Sequence, residues 1–460
     1  MAEITFDKFW GWLSPTSLYA NQWQCAYIEW IDTTQNISKI KNTSPWRKEF
    51  LTDWNDMLVH FTATSFITSK AWYAWEGGQI YHSGSSDNTP EKQLSNTRQI
   101  NDSTTTNWYI YLIQDWTAND TVEISRMNED NAALWSVSWF NEKFWTSNTD
   151  WGNFSNDDIY VNSFWEATLI VTKGSQIYYL WITTWALSEL ASFNIWRTVV
   201  GVTTSTDFVK FYTKDWRILM YNKARTLVSE TITWELFHKV ITANNRDYVV
   251  WEDGLYYVNW NTLVDVLKDG AKWLYSIQNN RNIFTWRTDI YLDVEFDNDT
   301  KLLRIGTDNA GFPEAMTILP TLDSLGNEVS KVYWVGGRFT LSAWMNVATT
   351  GKGIYELSWA STNASGVLIT EKHNWWSQVK TKEIQEIKIS WKFQNNSTIQ
   401  SIINDDQYSS LVTLDNGWDK SVIIRTPDLN AIYLDLALKV NLKGNDQLYW
   451  ITLVYNDEQK

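Results

Sequence analysis

The sequence predicts an all-β fold built around a β-propeller of about seven blades, within a range of roughly six to eight. Three observations predict it. The 3.6-residue period of an amphipathic helix persists almost nowhere, whereas short apolar and β-branched runs bounded by Asp, Asn, Gly, Ser and Thr recur along the 460 residues. A strand-turn-strand unit also repeats in the middle of the chain, with copies that begin 41, 40, 42 and 42 residues apart at Glu166, Asp207, Asp247, Asp289 and Lys331.

A repeat of about 40 residues made of β-hairpins is the spacing of a propeller blade with four strands. One small sheet cannot hide both of its faces, but blades packed around an axis bury each face against the next blade. Weaker copies near Ala71 and Tyr109 extend the pattern towards the N-terminus. The alternative is a row of stacked β-sandwich modules, which needs longer repeats of about 100 residues each.

Three regions follow from this pattern. Residues 1–50 have no second copy elsewhere, and we expect an extended arm that lies on another surface or closes the ring. Residues 51–375 form the predicted propeller. Residues 376–460 carry strands that alternate apolar with polar positions, which is typical of a small sandwich or jelly-roll-like domain with one solvated face per sheet.

Tryptophan is the most unusual part of the composition, with 32 Trp against 19 Gly. Trp repeatedly follows Asp, Asn or Gly where a β-turn calls for glycine, at Trp54, Trp116, Trp151, Trp216, Trp260 and Trp418. Such turns need φ > 0, which glycine adopts freely and a bulky residue adopts with strain. Our hypothesis is that most of these residues are glycines from a genome that reads UGA as glycine, translated with a code that reads UGA as Trp.

Some tryptophans have a different setting. Trp75, Trp108 and Trp145 lie inside aromatic or apolar runs, and we expect them to be authentic. The alternative for the whole set is a Trp-rich sugar-binding protein, in which aromatic platforms alternate along strands.

Charge and cysteine content restrict the function classes. The formal net charge is −15 and the isoelectric point is about 4.8, so the chain lacks the basic surface that binds nucleic acid or anionic membrane. We expect no membrane insertion and no signal peptide, because no apolar run approaches about 20 residues and Met1–Thr5 lacks the features of a leader. Cys25 is the single cysteine, which excludes an internal disulfide and a zinc site built on several cysteines.

The chain also resembles a known group of proteins. Residues Phe9–Leu13 read Phe-Gly-Gly-Gly-Leu once their tryptophans are taken as glycine, hairpin repeats follow, and the last strand contains Tyr449–Tyr455. In these features the chain resembles tailed-bacteriophage virion proteins. The resemblance implies a structural, tail-associated part of the particle without catalytic residues. A phage is also a natural carrier of a recoded UGA.

The search for chemistry finds no strong motif. His60, His82, His238 and His373 are scattered without ligand spacing, so each is interpreted as a surface or strand-end residue. Asp297-Asn298-Asp299 has oxygen ligands suited to calcium, but a plain turn is the preferred interpretation. Arginines recur near the predicted blade turns, where a triad for a sugar carboxylate competes with ordinary strand-end charge, at Arg197, Arg217, Arg287, Arg304 and Arg338.

We therefore predict a non-enzymatic phage virion protein that acts in assembly or host adhesion. It is expected to be made in the host cytoplasm and located in the virion, with no catalytic, cofactor-binding or metal residues and no cofactor. Its expected partners are other virion proteins and further copies of itself, with a host surface glycan as a further candidate and no nucleic acid. The alternatives are a lectin-like propeller and a glycan-cleaving propeller enzyme, which requires two converging carboxylates.

Overall fold

The structure, a computed structural model, describes forty β-strands and a set of connecting residues. The connecting residues are 165, 167, 174–175, 195–198, 205–207, 214–216, 223–226, 233–234, 237, 244–245, 266, 288, 319 and 444–446. Every secondary-structure element in this part of the chain is a strand, which confirms the predicted all-β class. The division of the chain at residues 50 and 375 stays a prediction.

The first strands come from the region predicted as an arm: β1 (Ala2–Phe6), β2 (Trp12–Leu13), β3 (Gln24–Glu29), β4 (Ile31–Asp32), β5 (Ile40–Asn42) and β6 (Trp46–Leu51). A three-stranded sheet follows: β7 (Trp72–Ala74), β8 (Gln79–His82) and β9 (Lys92–Gln93). The next sheet has four strands: β10 (Ile100–Thr106), β11 (Tyr109–Asp115), β12 (Thr121–Asn128) and β13 (Asn141–Trp145).

Three more four-stranded sheets succeed one another along the chain. The first contains β14 (Ile159–Phe164), β15 (Thr168–Lys173), β16 (Gln176–Ile182) and β17 (Leu187–Asn194). The second contains β18 (Val199–Thr204), β19 (Phe208–Thr213), β20 (Arg217–Asn222) and β21 (Leu227–Ile232). The third contains β22 (Lys239–Ala243), β23 (Arg246–Trp251), β24 (Gly254–Asn259) and β25 (Thr262–Asp265).

The remaining strands belong to larger or composite sheets. They begin with β26 (Ile283–Trp286), β27 (Asp289–Phe296), β28 (Asp299–Thr307), β29 (Pro313–Ile318), β30 (Val329–Gly336), β31 (Leu341–Val347), β32 (Gly353–Leu357), β33 (Ser365–Thr370) and β34 (His373–Asn374). The chain continues with β35 (Lys382–Phe393), β36 (Ser397–Ile403), β37 (Asp406–Leu414), β38 (Gly417–Arg425), β39 (Asp435–Lys443) and β40 (Gln447–Asp457).

Consecutive sheets are arranged as in a β-propeller. Within each sheet from β10 to β25 the strands are antiparallel neighbours in chain order. The first strand of each sheet contacts the first strand of the next, in the order β10, β14, β18, β22, β26 and β30. Side-by-side inner strands of small meander sheets are what a propeller requires.

Apolar side chains fill the space between consecutive sheets. Leu169 and Val171 of β15 pack with Tyr111 and Ile113 of β11, and alternate residues of β15 face the next sheet, where Ile170 packs with the Phe211 cluster. Because a strand sends successive side chains to opposite faces, β15 serves two cores and is buried along its whole length.

The predicted hairpin repeats fall mostly in one phase. The copies at Glu166, Asp207, Asp247 and Asp289 correspond to the second and third strands of their sheets. The copy at Lys331 falls on β30 and β31, the first and second strands of theirs, so its phase was wrong by one strand. The reason is that the second strands β27 and β31 begin at Asp289 and Leu341, 52 residues apart, which is longer than the spacing of the earlier copies.

The N-terminal strands join sheets formed by distant parts of the chain. β6 pairs with β32, β1 pairs with β40, and β3 pairs with β33 and, in parallel, with β29. The alternating apolar and polar residues also predicted four C-terminal strands, at residues 384–390, 421–425, 432–440 and 449–455. The first, second and fourth are present in β35, β38 and β40, and residues 435–440 of the third lie in β39. β36 and β37 were not predicted.

Candidate functional site

The best candidate for a functional surface is formed by three neighbouring turns. The turn between β19 and β20 (residues 214–216) lies between the connections 195–198 and 233–234. Two backbone hydrogen bonds join them: Lys214 N–H donates to the Thr198 carbonyl at 2.8 Å, and Thr233 N–H donates to the Trp216 carbonyl at 2.9 Å. We call these residues, together with Arg217 and Glu230, the turn cluster.

Four charged side chains of the turn cluster neutralise one another. The Asp215 carboxylate accepts hydrogen bonds from the Arg197 guanidinium and from Arg217 Nε, the latter at 3.2 Å. Arg217 also donates to Glu230, and Arg197 Nη2 lies 3.7 Å from the same Glu230 oxygen. Arg197 and Arg217 are thus matched by Asp215 and Glu230, so neither guanidinium is free of a carboxylate partner for a sugar carboxylate or a phosphate.

The pKa of Asp215 reflects this arrangement. Partial burial raises the pKa of Asp215. The hydrogen bond from Thr213 Oγ1 at 2.6 Å and the charges of Arg197 and Arg217 lower it by a larger amount, so the pKa lies below its ordinary value. Asp215 is therefore a fixed anion and is unsuited to act as a general acid.

Three exposed tryptophans surround these charges. Trp196 and Trp234 are 78% and 75% exposed, and Trp216 is 39% exposed. All three have left-handed backbones, with φ of 60°, 67° and 64° for Trp196, Trp216 and Trp234. The rings of Trp216 and Trp234 lie 6.3 Å apart between centroids with an interplanar angle of 37°.

A second polar group lies buried between two sheets. Asp247 accepts hydrogen bonds from Lys210 Nζ at 2.6 Å, Tyr212 Oη at 2.9 Å and Thr242 Oγ1 at 2.9 Å. Burial raises the pKa of Tyr212 well above its usual value, and the neighbouring Asp247 carboxylate raises it further. Lys210 and Tyr212 belong to β19 whereas Asp247 belongs to β23, so this group ties two consecutive sheets together.

Asp102 is a half-buried carboxyl on the innermost strand β10. Burial raises its pKa to about 6, although hydrogen bonds from the Val161 and Ser103 N–H groups, both at 2.9 Å, and the charge of Lys239 lower it. Val161 belongs to β14, so Asp102 joins two inner strands. Its perturbation comes from burial, and none of the described residues supplies the second carboxylate that glycan cleavage requires at this site.

The structure separates the arginines that the sequence placed near turns. Arg197 and Arg217 meet in the turn cluster, whereas Arg304 pairs with Asp289 through Nη2 at 2.5 Å and Nε at 2.7 Å. Arg287 and Arg338 lie outside the described residues. Arg197, Arg217 and Arg304 therefore do not form a free triad for a sugar carboxylate, because each of the three is engaged by a carboxylate.

The other candidates have mixed outcomes. His82 ends β8 and His373 opens β34, whereas His60, His238, Asp297 and Asn298 lie outside the described residues. Within the described part of the chain, no three His, Cys, Asp or Glu side chains come together as metal ligands. No helix found in that part is long and apolar enough to cross a membrane.

The tryptophans that the sequence placed in turns differ in where the structure places them. Trp216 lies in a turn at positive φ, as expected. Trp418 does not lie in a turn; it is the second residue of β38, because the strand already begins at Gly417. Trp145 lies in β13, in agreement with its apolar setting, and the structure does not describe Trp54, Trp75, Trp108, Trp116, Trp151 and Trp260.

Sequence reasoning missed two members of the turn cluster. Trp196 and Trp234 each stand two residues after the last residue of an outer strand, β17 and β21 respectively. Because the two tryptophans hold the same position in successive repeats, aligning the repeats would have predicted a shared role for them. Glu230 carried no local signal, because its role depends on Arg217 of the neighbouring strand.

Comparison with known proteins gives no family. No protein-family model matches the sequence, and no match is found among curated proteins. Among solved structures, the chain is similar to YCF48 bound to D1 peptide, with 10% identity and a TM-score of 0.41, over 69% of this chain and 99% of that chain. It is also similar to the AfRom2 CNH domain, with 12% identity and a TM-score of 0.43, over 70% of this chain and 100% of that chain.

A third similar structure is Raptor of Chaetomium thermophilum, with 11% identity and a TM-score of 0.45, over 69% of this chain and 29% of that chain. At these values the similarity assigns no function to the present chain.

Proposed function

We propose that the chain is a non-enzymatic structural protein of a bacteriophage particle, tail-associated, with a seven-bladed propeller and a C-terminal β-sandwich. The blade count rests on seven successive groups of strands: β7–β9, β10–β13, β14–β17, β18–β21, β22–β25, β26–β29, and β30–β32 with β6, of which β26–β29 are part of an 11-stranded sheet. The proposed sandwich combines the sheet around β35 and β40 with the sheet around β39 and β36, and N-terminal strands contribute to both.

One observation carries this proposal: strands from the first 51 residues are paired into sheets of the last 130 or so residues. β1 pairs with β40 and β6 with β32, so strands that are far apart in the sequence are fastened to each other by backbone hydrogen bonds. Because such pairing holds the N-terminal strands in the sheets of the C-terminal region, the fold resists mechanical unfolding by neighbouring molecules. That resistance is a property expected of a structural component of a phage particle. The ion pairs that join Arg197 and Arg217 to Asp215 and Glu230 fit a rigid presenting surface better than a reaction centre.

The experiment is to measure the chain in purified particles. Particles are banded in a density gradient, washed in high salt, and quantified by mass spectrometry against a known capsid protein. We expect a fixed number of copies per particle that survives the wash. A cytoplasmic phage enzyme measured in the same samples is the control for carry-over. Depletion of the chain to the level of that enzyme would contradict the proposal.

A second candidate, sugar binding, is favoured by the Trp216–Trp234 ring pair. Aromatic faces stack on sugar rings, and the exposed polar groups of Arg217 and Glu230 lie on the same turn cluster. Glycan-array binding that is lost in Trp234→Ala but kept in Trp165→Ala, an exposed Trp in a different turn, would favour this candidate. No observation favours glycan cleavage in the same way.

A further inference from the structure

Three tryptophans of the turn cluster have the backbone conformation of glycine. Six described residues other than glycine have a positive φ: Trp196, Trp216, Trp234, Asn244, Asn245 and Arg225. Asparagine visits this region readily, but a bulky residue there is an outlier. Tryptophan nevertheless supplies half of the set.

Trp216 occupies a turn position that glycine normally fills. Its N–H donates to the Thr213 carbonyl at 3.1 Å, and Thr213 pairs with Arg217 across the hairpin. This is a three-residue hairpin loop whose last residue is left-handed, the place where glycine forms a bulge. The corresponding turn of the preceding sheet, between β15 and β16, has a glycine of the same hand, Gly174 with φ of 57°.

Trp196 and Trp234 repeat one another in successive sheets. Each follows the outer strand of its sheet by two residues, and their φ values of 60° and 64° are nearly equal. Neither indole is buried enough to offset backbone strain, because about three quarters of each residue is exposed. The position therefore selects for backbone freedom, and the ring contributes little packing.

We infer that residues 196, 216 and 234 are glycine in the natural protein. The gene then encodes them by UGA, which its own host reads as glycine and which other codes read as Trp. The inference separates these three residues from Trp391, which is 4% exposed in the extended strand β35 and whose indole fills a core. It stands apart from the proposed particle function, but it counts against the sugar-binding candidate, because the natural protein would then lack the Trp216–Trp234 ring pair.

The direct test reads the codons at the three positions and the masses of the corresponding peptides from the natural protein. UGA codons with glycine-containing peptides are the expected result. UGG at these positions, or Trp in the natural peptides, overturns the inference.

A stability test uses the chain with Trp at all three positions. Trp196→Gly and Trp234→Gly are each expected to lower the unfolding equilibrium constant about tenfold, since left-handed strain of a non-glycine residue is of that size. Trp196→Ala and Trp234→Ala keep a Cβ, and hence most of the strain, so they separate backbone relief from loss of the ring. Trp391→Gly is expected to raise the constant. Glycine variants no more stable than the alanine variants would overturn the inference.

Discussion

Replacing Asp247 by alanine tests whether buried polar groups hold consecutive sheets together. The Asp247 carboxylate is almost fully buried and accepts three hydrogen bonds, two of them from Lys210 and Tyr212 of the preceding sheet. Its removal leaves the Lys210 ammonium without its anion and two hydroxyl donors without that acceptor. Loss of one partner of a buried ion pair costs about 3–5 kcal/mol, and we expect a loss of free energy of unfolding in that range.

Asp207 is the matched control. It begins the preceding hairpin repeat as Asp247 begins its own, but it is 66% exposed on its side chain and pairs with Lys223 at 3.2 Å. An exposed ion pair contributes about 0–1 kcal/mol, so Asp207→Ala should change little.

The assay is equilibrium urea unfolding of the two variants and the parent at neutral pH. Tyr212→Phe gives an intermediate case, because it removes one hydrogen bond to a charged acceptor, which contributes about 1.5–3 kcal/mol. Equal losses for Asp247→Ala and Asp207→Ala, or a loss below about 1 kcal/mol for Asp247→Ala, would refute the reasoning.

Three further predictions concern other contacts. Gly201→Ala places a Cβ 2.7 Å from Val240 Cγ2 of the next inner strand, so we expect a loss of about 1–3 kcal/mol in urea unfolding, largely restored by adding Val240→Ala. The pKa of Asp102 is raised to about 6 in the folded protein, so the folded state holds this proton more tightly than the unfolded state does. The free energy of unfolding should therefore fall by roughly 3 kcal/mol as the pH rises from about 4 to about 6. Asp102→Asn should remove that fall, as measured by urea unfolding at stepped pH. Arg197→Ala leaves Asp215 with one arginine, and because both residues are partly exposed we expect a loss of at most about 1 kcal/mol that shrinks in high salt; a loss independent of salt would argue against ion pairing.

The sequence by itself determined the all-β class, the hairpin repeat and the turn at Trp216. These depend on local physics: residue alternation sets the faces of a strand, and turn residues set the sign of φ. Four hairpins at Glu166, Asp207, Asp247 and Asp289 were found in the correct phase for this reason.

Only the tertiary structure decided which repeated residues differ in role. Asp207 and Asp247 begin successive sequence repeats, yet Asp207 lies in the exposed connection before β19, whereas Asp247 lies inside β23 and joins two sheets. The placement of β6 beside β32 and the pairing of Arg197 with Asp215 were equally beyond the sequence, since each brings together segments that no local pattern relates. A periodic pattern specifies the units, whereas contacts between units depend on how they pack in three dimensions.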